Sequence, residues 1–135
     1  MGGMTQPEMT PEVLEAANAM LDAARSGQTA QLLAWVDQGA PIDLRDSKGN
    51  SLVMLAAYHG HTELVAELAS RGADLDMLNE RGQSPLAGAV FKGDRPTVDA
   101  LLAAGADPDA GNPSARATAA YFGYEGFGDQ PVPRS

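Results

Sequence analysis

Cysteine is absent from this chain, aromatic residues are scarce, and acids outnumber bases two to one. The absence of cysteine excludes a disulfide framework and any thiolate-based site. Aromatic residues make up 5% of the 135 positions, while apolar residues make up 44%. Because that apolar share is mostly alanine and leucine, the composition favours helices packed through small side chains over a β-sandwich. The net charge of −9 argues against nucleic acid as a partner, because phosphate binding needs an excess of bases.

Long apolar runs are also missing. No segment approaches the roughly 18 uninterrupted apolar residues that a membrane-spanning helix needs. The N-terminal residues carry no basic stretch followed by an apolar core, so a signal peptide is not expected. A chain of this length normally forms one domain. We therefore expect a single cytoplasmic domain with no membrane partner.

Glycine and aspartate recur along the chain with a period of 33 residues. Between the glycines, apolar residues follow a helical spacing, as in the adjacent segments "SLVMLAAYHG" and "HTELVAELASRG". This spacing predicts two short helices and a turn in each unit. Helices this short are marginally stable alone, so the pattern predicts a solenoid in which neighbouring units cover each other's apolar stripes. The residues that keep the period are Gly27, Gly60 and Gly93, then Gly39, Gly72 and Gly105, and then Asp43, Asp76 and Asp109.

The segments "SLVMLAAYHGHTELVAELASRGADLD" and "SPLAGAVFKGDRPTVDALLAAGADPD" resemble the ankyrin-repeat family, in particular its small single-domain bacterial members. The resemblance implies an all-α ankyrin solenoid of helix-turn-helix units joined by β-turn loops, with three repeats and a C-terminal half-repeat. The domain is expected at residues 11–126, between a flexible segment 1–10 and a frayed tail 127–135. The expected repeats are about 11–45, 46–78, 79–111 and 112–126. Met54 and Ala87 depart from the family pattern, which usually has histidine at this position.

The chain's two histidines, His59 and His61, lie in the stretch HGHTE and could suggest half of a zinc or haem site. In the repeat register His61 aligns with Gln28 and Asp94, which open the second helix of their own units. The other repeats therefore make this turn without histidine. A zinc site also needs three or four ligands. We interpret the stretch as a turn between helices and expect neither a metal nor a cofactor.

Catalytic motifs are not recognisable elsewhere in the sequence. There is no cysteine nucleophile and no G-x-S-x-G elbow, and the glycines do not fit the spacing of a phosphate-binding loop. The recurring aspartates are interpreted as turn caps that accept hydrogen bonds from backbone amides. We therefore expect no enzyme activity, and a metal-dependent enzyme using His59 and His61 stays an alternative.

One face of the predicted stack carries exposed aromatic residues. Small pairs such as Ala56–Ala57 should let the first helices approach closely, so that these helices line a concave groove. The residues directly after these pairs are Arg25, Tyr58 and Phe91, and the same 33-residue offset gives Tyr124. Exposed aromatic side chains one repeat apart would anchor a partner. For Tyr124, packing against the neighbouring repeat is an equal alternative.

Positive charges are predicted on the same face. Six of the nine bases map to the groove or its turn tips, while the acids concentrate on the second helices. This distribution predicts a monomeric, non-catalytic protein-interaction module that binds an acidic or apolar protein segment. The candidate binding residues are Arg25, Arg45, Lys48, Tyr58, His59, Arg81, Phe91, Lys92, Arg116 and Tyr124.

The resemblance leaves a second function open. Some small bacterial ankyrin proteins of this character sit beside catalases and are thought to support resistance to oxidative stress, including haem handling. For this chain, that role would place a haem at His59 between Tyr58 and Phe91. A third alternative is self-assembly through thinly capped ends.

Overall fold

The computed structural model describes residues 10–124. Residues 1–9 and 125–135 lie outside the described residues, and with them most of the predicted N-terminal segment and all of the predicted C-terminal tail. Within the described range the chain forms seven α-helices and two isolated β-bridges in the turns between units. In chain order the helices are α1 (Pro11–Ser26), α2 (Thr29–Asp37), α3 (Leu52–Tyr58), α4 (Thr62–Ser70), α5 (Pro85–Lys92), α6 (Arg95–Ala103) and α7 (Ala115–Phe122).

A hydroxyl side chain caps the start of α1, α3, α5 and α7, which we call the inner helices. Thr10 Oγ1 accepts a hydrogen bond from the Val13 N–H at 3.2 Å. Ser51, Ser84 and Ser114 accept the equivalent bond at 3.0 Å in the other three inner helices. Each cap satisfies a backbone donor that has no partner inside the helix. The sequence places a hydroxyl at these positions, and that choice sets where each inner helix begins.

Close approach between units depends on a glycine at the end of α1. Gly27 adopts a left-handed backbone with φ of 75°. A β-carbon added there would lie 2.5 Å from Nδ1 of His61, in the next unit. Glycine therefore serves both the left-handed cap and the contact between units.

The helices pack in two layers, with the outer helices α2, α4 and α6 behind the inner ones. Each inner helix contacts the next inner helix, and α4 contacts both α2 and α6. The small pairs of the inner helices are at most 2% exposed, and leucines from both layers, including Leu86 on α5 and Leu101 on α6, are fully buried. These contacts confirm the predicted all-α solenoid of three two-helix units and one further inner helix. The small pairs are Ala23–Ala24, Ala56–Ala57 and Ala89–Val90.

Gly88 shows how two inner helices fit together. It lies in the middle of α5, where the equivalent residue of α3 is Leu55. A β-carbon at Gly88 would lie 3.1 Å from Cε of Met54 on α3. The methionine, standing at the family's usual histidine position, therefore reaches across to α5 over the glycine. The long side chain of Met54 thus packs against the space left by the missing side chain of Gly88.

The third unit is three residues shorter than the second. The capping serines Ser51 and Ser84 are 33 residues apart, whereas Ser84 and Ser114 are 30 apart. The three missing residues fall in the turn before α7, so every later residue is out of register with the 33-residue period. The structural equivalent of Phe91 is consequently Tyr121, and the offset that selected Tyr124 is wrong.

The recurring aspartates link successive turns. Asp43 Oδ1 accepts a hydrogen bond from the Asp74 N–H at 3.0 Å, and Asp76 Oδ1 accepts one from the Asp107 N–H at 2.9 Å. Asp74 in turn accepts from the Asp76 N–H within its own turn. Asp107 likewise accepts from the Asp109 N–H, so two of these four bonds cross from one unit to the next. The structure confirms Asp43, Asp74, Asp76 and Asp107 as caps of backbone amides, whereas the Asp109 carboxylate pairs with Arg116.

Candidate functional site

Three aromatic side chains occupy equivalent positions in the last turns of α3, α5 and α7. Tyr58, Phe91 and Tyr121 keep 37%, 56% and 83% of their surface exposed. The other residues of α3 are buried, so Tyr58 is the part of that helix that solvent reaches. We call these three residues the aromatic row, and the surface that carries them the inner-helix face. Arg25 holds the corresponding position on α1.

Tyr124 lies away from this row. It follows the end of α7, and its N–H donates to the Ala119 carbonyl as the His61 N–H donates to the Ala56 carbonyl. Its ring lies below the guanidinium of Arg95, 4.9 Å from the ring centroid. Burial raises the pKa of the Tyr124 hydroxyl. Tyr124 thus holds the position that His61 holds after α3, and it packs against Arg95 of the preceding unit.

Further aromatic and cationic contacts extend the row. Lys92 Nζ lies 4.6 Å from the ring centroid of Tyr58, in a cation–π arrangement. Phe122 makes edge-to-face contacts with Phe91 and Tyr121, with centroid separations of 5.6 and 5.0 Å. Sequence reasoning missed Tyr121 and Phe122 because the period breaks before α7. The capping serine Ser114, aligned with Ser84, is the signal that would have corrected the register.

An apolar groove runs between α5 and α7, beside Phe91. Its volume is about 490 Å³, and we call it the α5–α7 groove. Small residues form its floor and aromatic residues form one end, while Gln83 and Pro113 lie at the other end. The floor residues are Ala87, Ala117 and Thr118, and the aromatic residues are Phe91, Tyr121 and Phe122.

Two of the predicted groove cations are neutralised by nearby carboxylates. Arg25 pairs with Asp22 at 2.7 Å and reaches Asp46 at 3.5 Å. Arg116 pairs with Asp109 at 2.8 Å. The hydrogen bond to that carboxylate raises the pKa of Arg116, and the same bond lowers the pKa of Asp109. These two arginines therefore add little net charge to the inner-helix face.

The other four predicted cations stay exposed. Arg45, Lys48 and Arg81 lie in the turns before α3 and α5, and Lys92 ends α5. Within residues 10–124, none of these four forms an ion pair with a carboxylate. Glu80, next to Arg81, is an exposed carboxylate in the same turn.

The two histidines have separate structural roles. His61 opens α4, as predicted, and its Nε2–H donates to the Arg25 carbonyl at 2.7 Å. His59 ends α3 and is exposed. Burial by its neighbours, together with repulsion from His61, Lys92 and Arg25, lowers the pKa of His59. Across residues 10–124 no group of three or more histidine, aspartate or glutamate side chains is placed to hold a metal ion.

Comparison with known proteins supports this architecture. A family model described as ankyrin repeats, in three copies, matches residues 20–112. The chain belongs to the ankyrin-repeat family. Proteins of this family are generally protein-interaction modules and are typically not enzymes.

A bacterial relative has the same repeats. A segment of 54 residues is 44% identical to a Pseudomonas aeruginosa protein whose name describes it as an ankyrin repeat protein. The match covers 40% of this chain and 32% of the relative, so the chain spans about a third of that protein's length. The name identifies repeats alone, and the catalase-accessory role with haem handling therefore stays a prediction from the resemblance.

Acids dominate the outer side of this ankyrin stack. Arg71 joins Asp37 at 2.8 Å and Glu67 at 2.7 Å, linking α2 with α4. The hydrogen bond from Arg71 holds the pKa of Asp37 below its ordinary value. Among the described helices, none has the length and apolar character required to cross a bilayer.

Proposed function

We propose that this protein is a non-catalytic interaction module that binds a segment of a partner protein across its inner-helix face. The aromatic row is the observation that carries the proposal. Tyr58, Phe91 and Tyr121 stand at one register position of three consecutive inner helices and remain exposed. Large aromatic side chains that bury their surface on binding dominate the energetics of most protein interfaces.

Charge on the same face favours an acidic or apolar segment as the partner. Arg45, Lys48, Arg81 and Lys92 are exposed and unpaired with carboxylates among residues 10–124, although the chain as a whole carries a charge of −9. Exposed charges at the rim of an interface mainly raise the association rate and orient the partner. The aromatic residues supply affinity, and the cations supply orientation.

Site-specific photocrosslinking tests which face of the stack contacts the partner protein. The photoreactive residue p-benzoylphenylalanine replaces Phe91 on the inner-helix face or Ala66 on α4 of the outer face, in cells of the source organism. Both positions are exposed, and the substitution at Phe91 preserves an aromatic side chain. We expect one discrete protein adduct from position 91 and none from position 66.

A pair of substitutions then tests the anchors with the partner so identified. Tyr58→Ala with Phe91→Ala should abolish its retention, because buried interface aromatics typically cost about 2 kcal/mol or more when truncated. Helicity and melting temperature should stay nearly unchanged, because both side chains are exposed. The matched control is Glu63→Lys with Asp99→Lys on exposed positions of α4 and α6. If the control loses the partner and the aromatic pair does not, binding occurs on the outer helices and the proposal is wrong.

A further inference from the structure

The α5–α7 groove differs from the corresponding contact between α3 and α5. There, Met54 extends from α3 until its Cε lies 3.1 Å from the place of a β-carbon on Gly88. In the next contact the residue equivalent to Met54 is Ala87, and the residue equivalent to Gly88 is Thr118 on α7. A methyl group cannot reach across to the neighbouring helix as methionine does. A longer side chain at position 87 would therefore occupy part of the groove of about 490 Å³.

The shape of the groove matches two apolar side chains one helical turn apart. Ala87 and Phe91 on α5, and likewise Ala117 and Tyr121 on α7, are separated by four residues, which is about 6 Å along a helix axis. Residues i and i+4 of a bound amphipathic helix have the same spacing, and such helices commonly insert their apolar side chains into grooves between helices. The volume lies within the roughly 300–1,000 Å³ of sites that hold ligands.

Electrostatics favour an acidic segment over a cationic one. Among residues 10–124, the lining contains no carboxylate that could neutralise a cation among its aromatic rings. Arg81, in the turn that precedes α5, is exposed, and Lys92 at the end of α5 has its Nζ over the ring of Tyr58 on α3. Of the nearby carboxylates, Asp94 accepts hydrogen bonds from Thr97. Asp109 is held by Arg116, and Glu80 accompanies Arg81 in its turn.

We infer that the α5–α7 groove binds an acidic segment of a partner protein through two large apolar side chains placed one helical turn apart. This subsite rests on the proposed function, because the aromatic row forms one end of the groove. The bound leucine, methionine or phenylalanine side chains take the place that Met54 takes between α3 and α5.

Three synthetic peptides test the chemistry of the occupant on the full-length protein. The acidic probe carries two leucines four residues apart in a glutamate and alanine background. One matched peptide replaces glutamate with lysine, and the other replaces both leucines with alanine. We expect the acidic probe to bind and to shift the amide resonances of α5 and α7, with about tenfold weaker binding of the lysine peptide at low salt. The alanine peptide should produce no localised shifts.

Substitutions that fill the groove test whether the acidic probe binds there. Ala87→Met places in the groove the side chain that Met54 already provides one unit earlier, and it should weaken the acidic probe about tenfold or more. Ala66→Met, on exposed α4, is the matched control and should leave binding unchanged. Tyr121→Ala removes an exposed side chain from the wall of the groove without disturbing the core. It therefore tests whether the probe binds in the groove even if Ala87→Met is unstable.

Each contrary result has a distinct meaning. If the acidic probe still binds to both Ala87→Met and Tyr121→Ala, the groove is not its binding site. Resonance shifts confined to other helices would lead to the same conclusion. If sedimentation shows a dimer that Ala87→Met dissociates, the occupant is a second copy and the partner segment is wrong. Loss of the photocrosslinked partner in Tyr58→Ala with Phe91→Ala, but not in Ala87→Met, would leave the proposed function intact and remove only this subsite.

Discussion

Asp46 and Asn79 occupy the same position in successive turns and cap them in the same way, although only one is charged. Asp46 Oδ1 accepts hydrogen bonds from the N–H groups of Lys48 and Asn50 at 2.9 and 2.8 Å. Asn79 Oδ1 accepts the equivalent bonds at 2.9 and 3.0 Å. The turn therefore requires the acceptor oxygen, and the charge of Asp46 is an addition. That charge lies 3.5 Å from Arg25.

Replacing Asp46 with asparagine isolates the charge. Burial alone would raise the pKa of Asp46, but hydrogen bonds from Asn50 and Lys48, with the attraction of Arg25, lower it below 3.8. Its charge therefore stabilises the fold above about pH 4, and this contribution disappears as the pH falls through the lowered pKa. Asp46→Asn should reduce the free energy of unfolding by about 1 kcal/mol at neutral pH, and by much less in acid, in urea titrations.

Substitution of the other carboxylate that pairs with Arg25 serves as the control. Asp22 pairs with Arg25 at 2.7 Å but its side chain is 75% exposed, so Asp22→Asn should leave stability nearly unchanged. A loss for Asp46→Asn of equal size at both pH values would show that side-chain geometry, and not charge, is responsible.

At the scale of elements, the turn between α3 and α4 holds two units together. His61 donates to the carbonyl of Arg25 in the last turn of α1, and its ring lies against Gly27. That carbonyl has no partner inside its own helix, so the histidine satisfies it from the next unit. His59, two residues earlier, is exposed at the end of α3. The two histidines look alike in the sequence and differ in what they contact.

Alanine substitutions should separate the two histidines. His61→Ala removes the hydrogen bond and leaves a gap against Gly27, which should lower the free energy of unfolding by about 1–2 kcal/mol. His59→Ala should have an effect within about 0.5 kcal/mol. Thermal unfolding of both variants measures the difference. Equal effects would contradict the assignment of His61 as the inter-unit contact.

At the scale of the whole molecule, the main contacts among the described helices join each unit to its neighbours, yet the array is short enough to unfold as one. The chain's one tryptophan, Trp35 on α2, packs against the core of the first unit. Its fluorescence reports on the N-terminal end, whereas circular dichroism reports on all helices. We expect the two denaturant transitions to coincide.

A substitution at the far end makes this test sharper. Leu101 on α6 is fully buried, and Leu101→Ala should cost about 2–5 kcal/mol through lost packing and the cavity that remains. If folding is cooperative, the Trp35 transition shifts as far as the dichroism transition does. A Trp35 transition left in place, with a biphasic dichroism curve, would show that the units unfold separately.

Much of the architecture was predictable because its causes are local. Glycines at a 33-residue step, hydroxyl caps and helical apolar spacing each act within a few residues, so they indicate an ankyrin solenoid without reference to tertiary contacts. Tyr58 and Phe91 follow buried small pairs, and their exposure was predictable for the same reason. The assignment of Tyr124 failed because one shortened turn is enough to move every later residue out of register.

The sequence by itself determined where helices begin and end, how many units stack and which side of each helix is buried. Tertiary structure decided the pairing of Arg25 with Asp46, the contact of His61 with Gly27, and the α5–α7 groove. These features depend on how far a side chain extends toward the neighbouring unit, and on whether a small residue there leaves room. Periodicity records which positions are equivalent, but it does not measure the space between them.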